Sequence, residues 1–245
     1  MLGGLRFVKF YLYEVYKMSD FDEDYIAIPE KYLIVKDGIA NEVINEFYAI
    51  LETLEQDLSI NDLKIKCNNI SNNKLPYKND KITLAKLACT GEFWAFRLIE
   101  KCIESLEGKD KEWAVISLYE CKRTIEEELY GEMNGLICSG LGGERDLLRY
   151  VAVIKKKYDD TKTYDKIIEI WNSIAKRLKS EVEEVRVEEK YIWIKILVKM
   201  DIAVGYFIEE GIKETNKKME VLEESYLVTN VKIPTRSEID EYINS

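Results

Sequence analysis

Histidine is absent from this chain. Without an imidazole there is no Ser-His-Asp or Cys-His catalysis within one chain, no histidine metal site and no imidazole pH switch. Long apolar runs are missing too. Nothing approaches the roughly 18 to 20 uncharged apolar residues of a membrane-spanning helix. The opening MLGGLRFVKFYLYEVYKM is broken by Arg6, Lys9, Glu14 and Lys17 and lacks a small-residue cleavage site, so no signal peptide is expected. Met18 ahead of the polar SDFDED run leaves residues 1–17 readable as an upstream extension or as a short element packed on the body. Basic excess is also lacking. Residues 1–143 carry 17 basic and 25 acidic side chains, residues 144–245 carry 19 and 21, and the formal net charge is −10. No segment forms the basic footprint that nucleic acid or an anionic membrane would require.

The five cysteines, Cys67, Cys89, Cys102, Cys121 and Cys138, are odd in number and contain no CxxC pair. Neither a metal cluster nor a secreted disulfide framework fits that spacing. The expectation is a reduced, cytoplasmic setting with no metal and no cofactor. Cys89, Cys102 and Cys121 fall within helical apolar patterns and are expected to be buried core residues. Glu126, Glu127 and Glu128, with Glu120 and Glu132 nearby, resemble the carboxylates of a di-metal helical bundle only superficially, because such sites need a Glu-x-x-His element. They are expected to form a solvated acidic face.

What is present is periodicity. Residues 148–155 alternate, and Tyr164, Ile167, Ile168, Trp171, Ile174, Ala175 and Leu178 recur on one stripe of a helix. Val185 and Val187 alternate with charged residues. After Glu188, Glu189 and Lys190, the residues Ile192, Ile194, Ile196 and Val198 line one face of a second strand, which predicts a hairpin. Asp201 is the expected N-cap of a helix from Ile202 to about Lys217. Tyr226 to Lys232 returns as a strand, and Thr235 with Glu238 predicts a capping box opening a short last helix. The order strand, helix, strand, strand, helix, strand predicts an α+β fold with a C-terminal ferredoxin-like (βαββαβ) domain. The expected organisation is a mainly helical domain over 1–134, a Gly-rich junction over 135–145, and the ferredoxin-like domain with its short C-terminal helix over 146–245. In the helical part, residues 39–55, 81–106 and 111–133 predict helices, the last two an antiparallel pair. Residues 57–80 predict a long connection with at most one short helix near 60–67, and Asn69-Ile70-Ser71 is read as a chance sequon.

One segment carries candidate chemistry. Five of the twelve glycines lie between 131 and 143. Gly140, Gly142 and Gly143 can take positive φ and turn successive amides into an anion nest, with Arg145 and Arg149 adding charge and Cys138 and Ser139 on the rim. Cationic groups beside Cys138 would lower its pKa and make it a nucleophile. The spacing is neither a Walker loop, which needs GK[ST], nor a Rossmann fingerprint, which needs Gly where Arg145 stands. A hinge is the plainer explanation.

Tyr150, Tyr191 and Trp193 are expected to share the outer sheet face and to lie in a contact, covered by the helical half or by a second copy of the chain. The leading expectation is therefore a non-catalytic binding or regulatory protein that engages a protein partner or a small anionic ligand at the Gly-rich segment. The second is an enzyme using Cys138 as nucleophile on a phosphate- or carboxylate-bearing substrate, and the third is an RNA-binding module. Strand YIWIKILV lacks the glycine-containing aromatic motif of RNA-recognition domains, which places RNA last.

Overall fold

The computed structural model describes residues 32–54, 63, 78–131, 135–158 and 164–245. The opening segment, the expected short helix near 60–67, Cys67, the sequon and Glu132 lie outside the described residues. The chain divides into two compact units, with the boundary between Gly140 and Leu141.

The first unit is built on helices. Strand β1 (Tyr32–Ile34) pairs in parallel with β2 (Gly135–Ile137), and the ladder continues as Val35 N–H donates to the Ile137 carbonyl and Ile39 N–H to the Ser139 carbonyl, both at 3.0 Å. Between these strands run α1 (Asn41–Thr53), α2 (Lys78–Ala88), α3 (Phe93–Ser105) and α4 (Gly108–Tyr130). The 81–106 helix expected from periodicity is two helices. α2 ends before Cys89, and Gly91, at φ 63°, turns the chain in a left-handed conformation that a side chain would strain. Glu128 lies where a β-carbon on Gly91 would have to sit. α4 is the hub of the core. Its Trp113 is wholly buried, meets the Phe47 ring edge-on at 5.4 Å and donates its indole N–H to the Lys81 carbonyl at 3.1 Å.

The second unit contains a mixed α+β arrangement around an antiparallel sheet. Its elements are β3 (Gly143–Glu144), β4 (Leu147–Lys156), α5 (Tyr164–Arg177), β5 (Glu181–Val187), β6 (Tyr191–Lys199), α6 (Val204–Met219), β7 (Leu222–Thr229) and α7 (Arg236–Asn244). β6 lies between β4 and β5. On the other edge of β4, β7 pairs with Val151–Lys156 and the short β3 with Leu147–Leu148. Because side chains alternate along a strand, Ala152, Ile154, Ile192, Ile194, Ile196 and Val198 form one apolar face under α5 and α6. Trp171 of α5 is wholly buried there and packs against Gly211 of α6, where a β-carbon would overlap its ring. Among the described residues no helix is long and apolar enough to cross a membrane.

Two expectations about this unit are corrected. Asp201 does not cap α6. The N-cap is Ala203, and the Asp201 carboxylate accepts from Lys199 Nζ at 2.7 Å, a partner only two residues away. Tyr150 does not share a face with Tyr191 and Trp193. It is opposite Ile196, on the α5/α6 side, whereas Trp193 is opposite Val153, one step out of phase. Tyr191 and Trp193 pack with Val151, Val153 and Leu227 against Ile239, Tyr242 and Ile243 of α7. The cover for the outer face thus includes the chain's own last helix, opened by the expected capping box: Thr235 and Glu238 exchange both hydrogen bonds.

Candidate functional site

Each residue of the Gly-rich segment is placed by the ladder it joins. Cys138 follows β2 and packs, half-buried, on the helical core of the first unit. Ser139 is buried and its carbonyl belongs to the β1–β2 ladder. Gly140 closes this unit. Leu141 opens the second, its N–H donating to the Asn230 carbonyl at 3.0 Å. Gly142 has φ 68°, and its carbonyl accepts from Arg149 N–H at 3.0 Å. β3 and β4 then form a tight hairpin, with Glu144 opposite Leu147 and a loop of Arg145 and Asp146 between them.

Gly140 and Gly143 are not in the left-handed region. Gly142 is, and so is Arg145, at φ 57°. The expected nest of three glycine amides is therefore a hairpin held by strand pairing. Arg149 is fully engaged in it. Its Nε and Nη2 donate to the two carboxylate oxygens of Glu183 at 2.7 and 2.8 Å, and Nη1 donates to the Leu141 carbonyl at 2.8 Å. Lys195 Nζ lies 3.3 Å from the same carboxylate. The Arg149 hydrogen bonds, with a smaller contribution from Lys195, hold the Glu183 carboxyl below its ordinary pKa against the opposing effect of burial. Arg145 differs. Its side chain is 75% exposed, and its ion pair with Glu181 is an exposed contact at 3.9 Å.

Cys138 is not activated. Burial pushes its thiol well above the usual range, and the nearby charge is the carboxylate of Glu120, whose sign raises it further. The expectation of a lowered pKa assumed that Arg145 and Arg149 act on the sulfur. The groups that do face this part of the first unit are Glu120, Arg123 and Tyr48. Tyr48 is likewise held well above its ordinary pKa, first by burial and then by the charges of Cys138 and Glu120.

The sequence reading missed the most buried charged pair among the described residues of the first unit. Glu120 is not part of a solvated face but is 3% exposed, and Arg123 donates to it at 2.6 Å and to Glu127 at 2.8 Å. Burial works against the Arg123 charge, yet hydrogen bonding and attraction to Glu120 and Glu127 keep the guanidinium ionised. A signal existed. Trp113, Ile116, Ser117, Glu120, Cys121 and Ile125 are all buried and fall at helical spacing, so Glu120 lies inside the core stripe of α4. Cys102 and Cys121 are buried as expected. Cys89 is exposed because α2 stops before it and leaves it in the turn. Its sulfur nonetheless packs closely enough that burial, aided by the Glu120 charge, pushes the thiol up to about 11. Among the described residues no group of three or more carboxylates and thiols is placed to hold a metal ion.

No protein-family model matches the chain. No curated protein matches it either. Among solved structures it is similar to a protein described as a transposase from Deinococcus radiodurans R1, with 18% identity over 42% of this chain and 92% of that one, at a TM-score of 0.36. A likeness of that size carries no argument about fold or activity.

Proposed function

We propose that this chain is a non-catalytic binding protein that engages an acidic protein partner through the hairpin of its Gly-rich segment, with Arg145 as the contact residue. The observation that carries this reading is the backbone of Arg145. A left-handed conformation costs a non-glycine residue about 1–2 kcal/mol, and glycine would avoid it. The strained residue stands at an exposed loop tip, and among the described residues its guanidinium is in an ion pair with Glu181 at 3.9 Å. Retained strain at an exposed tip points to a role for the side chain, and a guanidinium recognises carboxylates in two-pronged geometry. Arg149 supports the loop from behind through Glu183 and the Leu141 carbonyl.

The proposal gives Cys138 no nucleophilic role, since its surroundings favour the protonated thiol. It places the chain in the cytoplasm, in keeping with the four free cysteines among the described residues. It also takes the second unit as a ferredoxin-like domain. The strand order β7, β4, β6, β5, with helices after the first and third strands in chain order, supports that arrangement.

Arg145→Gly separates function from fold. The variant is expected to be as stable as the parent or up to about 1 kcal/mol more stable, because relief of strain offsets the added chain entropy. Immobilised parent and variant would be exposed to the same lysate. A protein held by the parent and lost from the variant supports the reading, whereas identical captured sets, or none with either, refute it.

A further inference from the structure

At the end of β4 opposite the Arg145 hairpin lies a groove of about 290 Å³, formed where β4, the β5–β6 turn, the start of β7 and the end of α7 meet. Four of its lining residues are lysines: Lys155, Lys156, Lys157 and Lys190. Against them stand Glu189 and Glu223 of the lining and Glu220, which pairs with Lys157 Nζ at 3.5 Å, so one positive charge is left over in a chain whose net charge is −10. Lys155 and Lys156 are the last two residues of β4 and alternate between its faces, and Lys157 lies just past the strand's end. All three border the groove because it lies at the strand's end, where the β4–β7 register shifts between Ile154 and Lys156 with the extra residues on β7, between Leu222 and Tyr226.

The backbone locks this irregularity in place. Lys156 N–H donates to the Lys190 carbonyl and Lys157 N–H to the Val221 carbonyl, each at 2.9 Å. Lys156 is 7% exposed, and its ammonium donates to the Glu188 carbonyl at 3.0 Å. Keeping a charge that deep is costly, which makes it the least expected of the four on structural grounds. Lys155 is steadied by the Tyr242 ring, 4.9 Å from its Nζ, while Lys157 and Lys190 are exposed.

We propose that this groove binds a small oligophosphate group, two or three linked phosphates of a free metabolite-sized ligand. Lysine ammoniums are compact multi-donor charges suited to phosphate oxygens. The volume lies near the lower end of small-ligand sites. The acidic remainder of the chain opposes a long polyanion, which favours a free ligand over nucleic acid.

The test is calorimetric titration of the full chain with inorganic tripolyphosphate at about 150 mM salt, where exposed charges are largely screened. Saturable binding is expected in the parent. The Lys157→Gln/Lys190→Gln variant, altered only at exposed positions, should bind about tenfold more weakly as charge-assisted hydrogen bonds are lost. Lys156→Met should also bind more weakly while keeping a cooperative melt. Arg145→Gly should bind like the parent, so failure here and failure of the partner reading are distinguishable. Absence of binding by the parent, unchanged binding by Lys157→Gln/Lys190→Gln, or loss in Arg145→Gly overturns the proposal. So does tighter binding of a short single-stranded RNA or of anionic lipid vesicles than of tripolyphosphate.

Discussion

The two faces of the sheet in the second unit are made from the same strands yet are stabilised differently. On one, Ile154, Ile192, Ile194 and Ile196 meet two long helices, and burial is continuous. On the other, among the described residues, Val151, Val153, Tyr191 and Trp193 meet the nine-residue α7 together with Leu141 and Leu227. Beyond them the same face carries Arg149, Glu183 and Lys195, bound to one another. The first face is held mainly by the removal of apolar area from water, the second by a short helix and charge pairs. An apolar face tolerates little substitution but has no handle for salt or acid. A charged face yields smaller losses and responds to both.

The largest effect that would sharpen this contrast is on the α5/α6 side. Trp171→Ala removes the biggest buried side chain of that layer and leaves Gly211 facing a cavity, so a loss of about 3–5 kcal/mol is expected in urea unfolding. On the α7 side, Trp193→Ala should cost less, about 3 kcal/mol, because a single short helix can settle into the space. Arg186, 4.4 Å from the Trp193 ring, also loses its stacking partner. Equal losses at the two positions would show that α7 is held as rigidly as α5 and α6. Thr235→Ala removes one half of the capping box and should cost about 1 kcal/mol. The loss should come with a change in Trp193 fluorescence as α7 loosens over it, while Trp171 packing is unaffected. A loss with no spectral change would mean that capping and docking of α7 are independent.

Where one physical rule decides a feature, the residues announce it. The alternation of Ile192, Ile194, Ile196 and Val198 and the stripe through Ile167, Trp171 and Ile174 are legible because each places several apolar side chains on one side of an element. The Thr235/Glu238 capping box is legible because it is local. Features set by partners distant in sequence are not. Glu183 reaches Arg149 only because the β5–β6 register shifts between Val182 and Glu184. The single hint is that Val182 and Val185 are three residues apart instead of two. The same limit hid the groove in which Lys155, Lys156 and Lys157 meet Lys190. Asp201 looked like a cap because Asp is a good one, and a lysine two residues earlier claimed it. In the candidate site, a glycine-rich string predicted left-handed backbone, which Gly142 adopts. That the second such residue is Arg145 follows from hairpin closure, which composition does not reveal.

The smallest expected effect is electrostatic and concerns α7 again. Glu238 has its carboxyl pKa lowered to about 2, first by its hydrogen bond from Lys232, then by the Thr235 backbone N–H and the Thr235 side chain. An acid with a depressed folded-state pKa stabilises fully above its unfolded value, near 4.5, and loses that contribution as pH falls through about 2. The stability difference between the parent and Glu238→Gln should therefore be constant at neutral pH and shrink as pH drops from about 4.5 toward 2. Since the pair is at the surface, added salt should reduce the difference at neutral pH as well. The α5/α6 face provides the control: the cost of Trp171→Ala should not vary with salt over the same range. A Glu238→Gln difference that ignores both pH and salt would mean that the carboxylate acts as a neutral hydrogen-bond acceptor, and that the two faces differ less than their charges suggest.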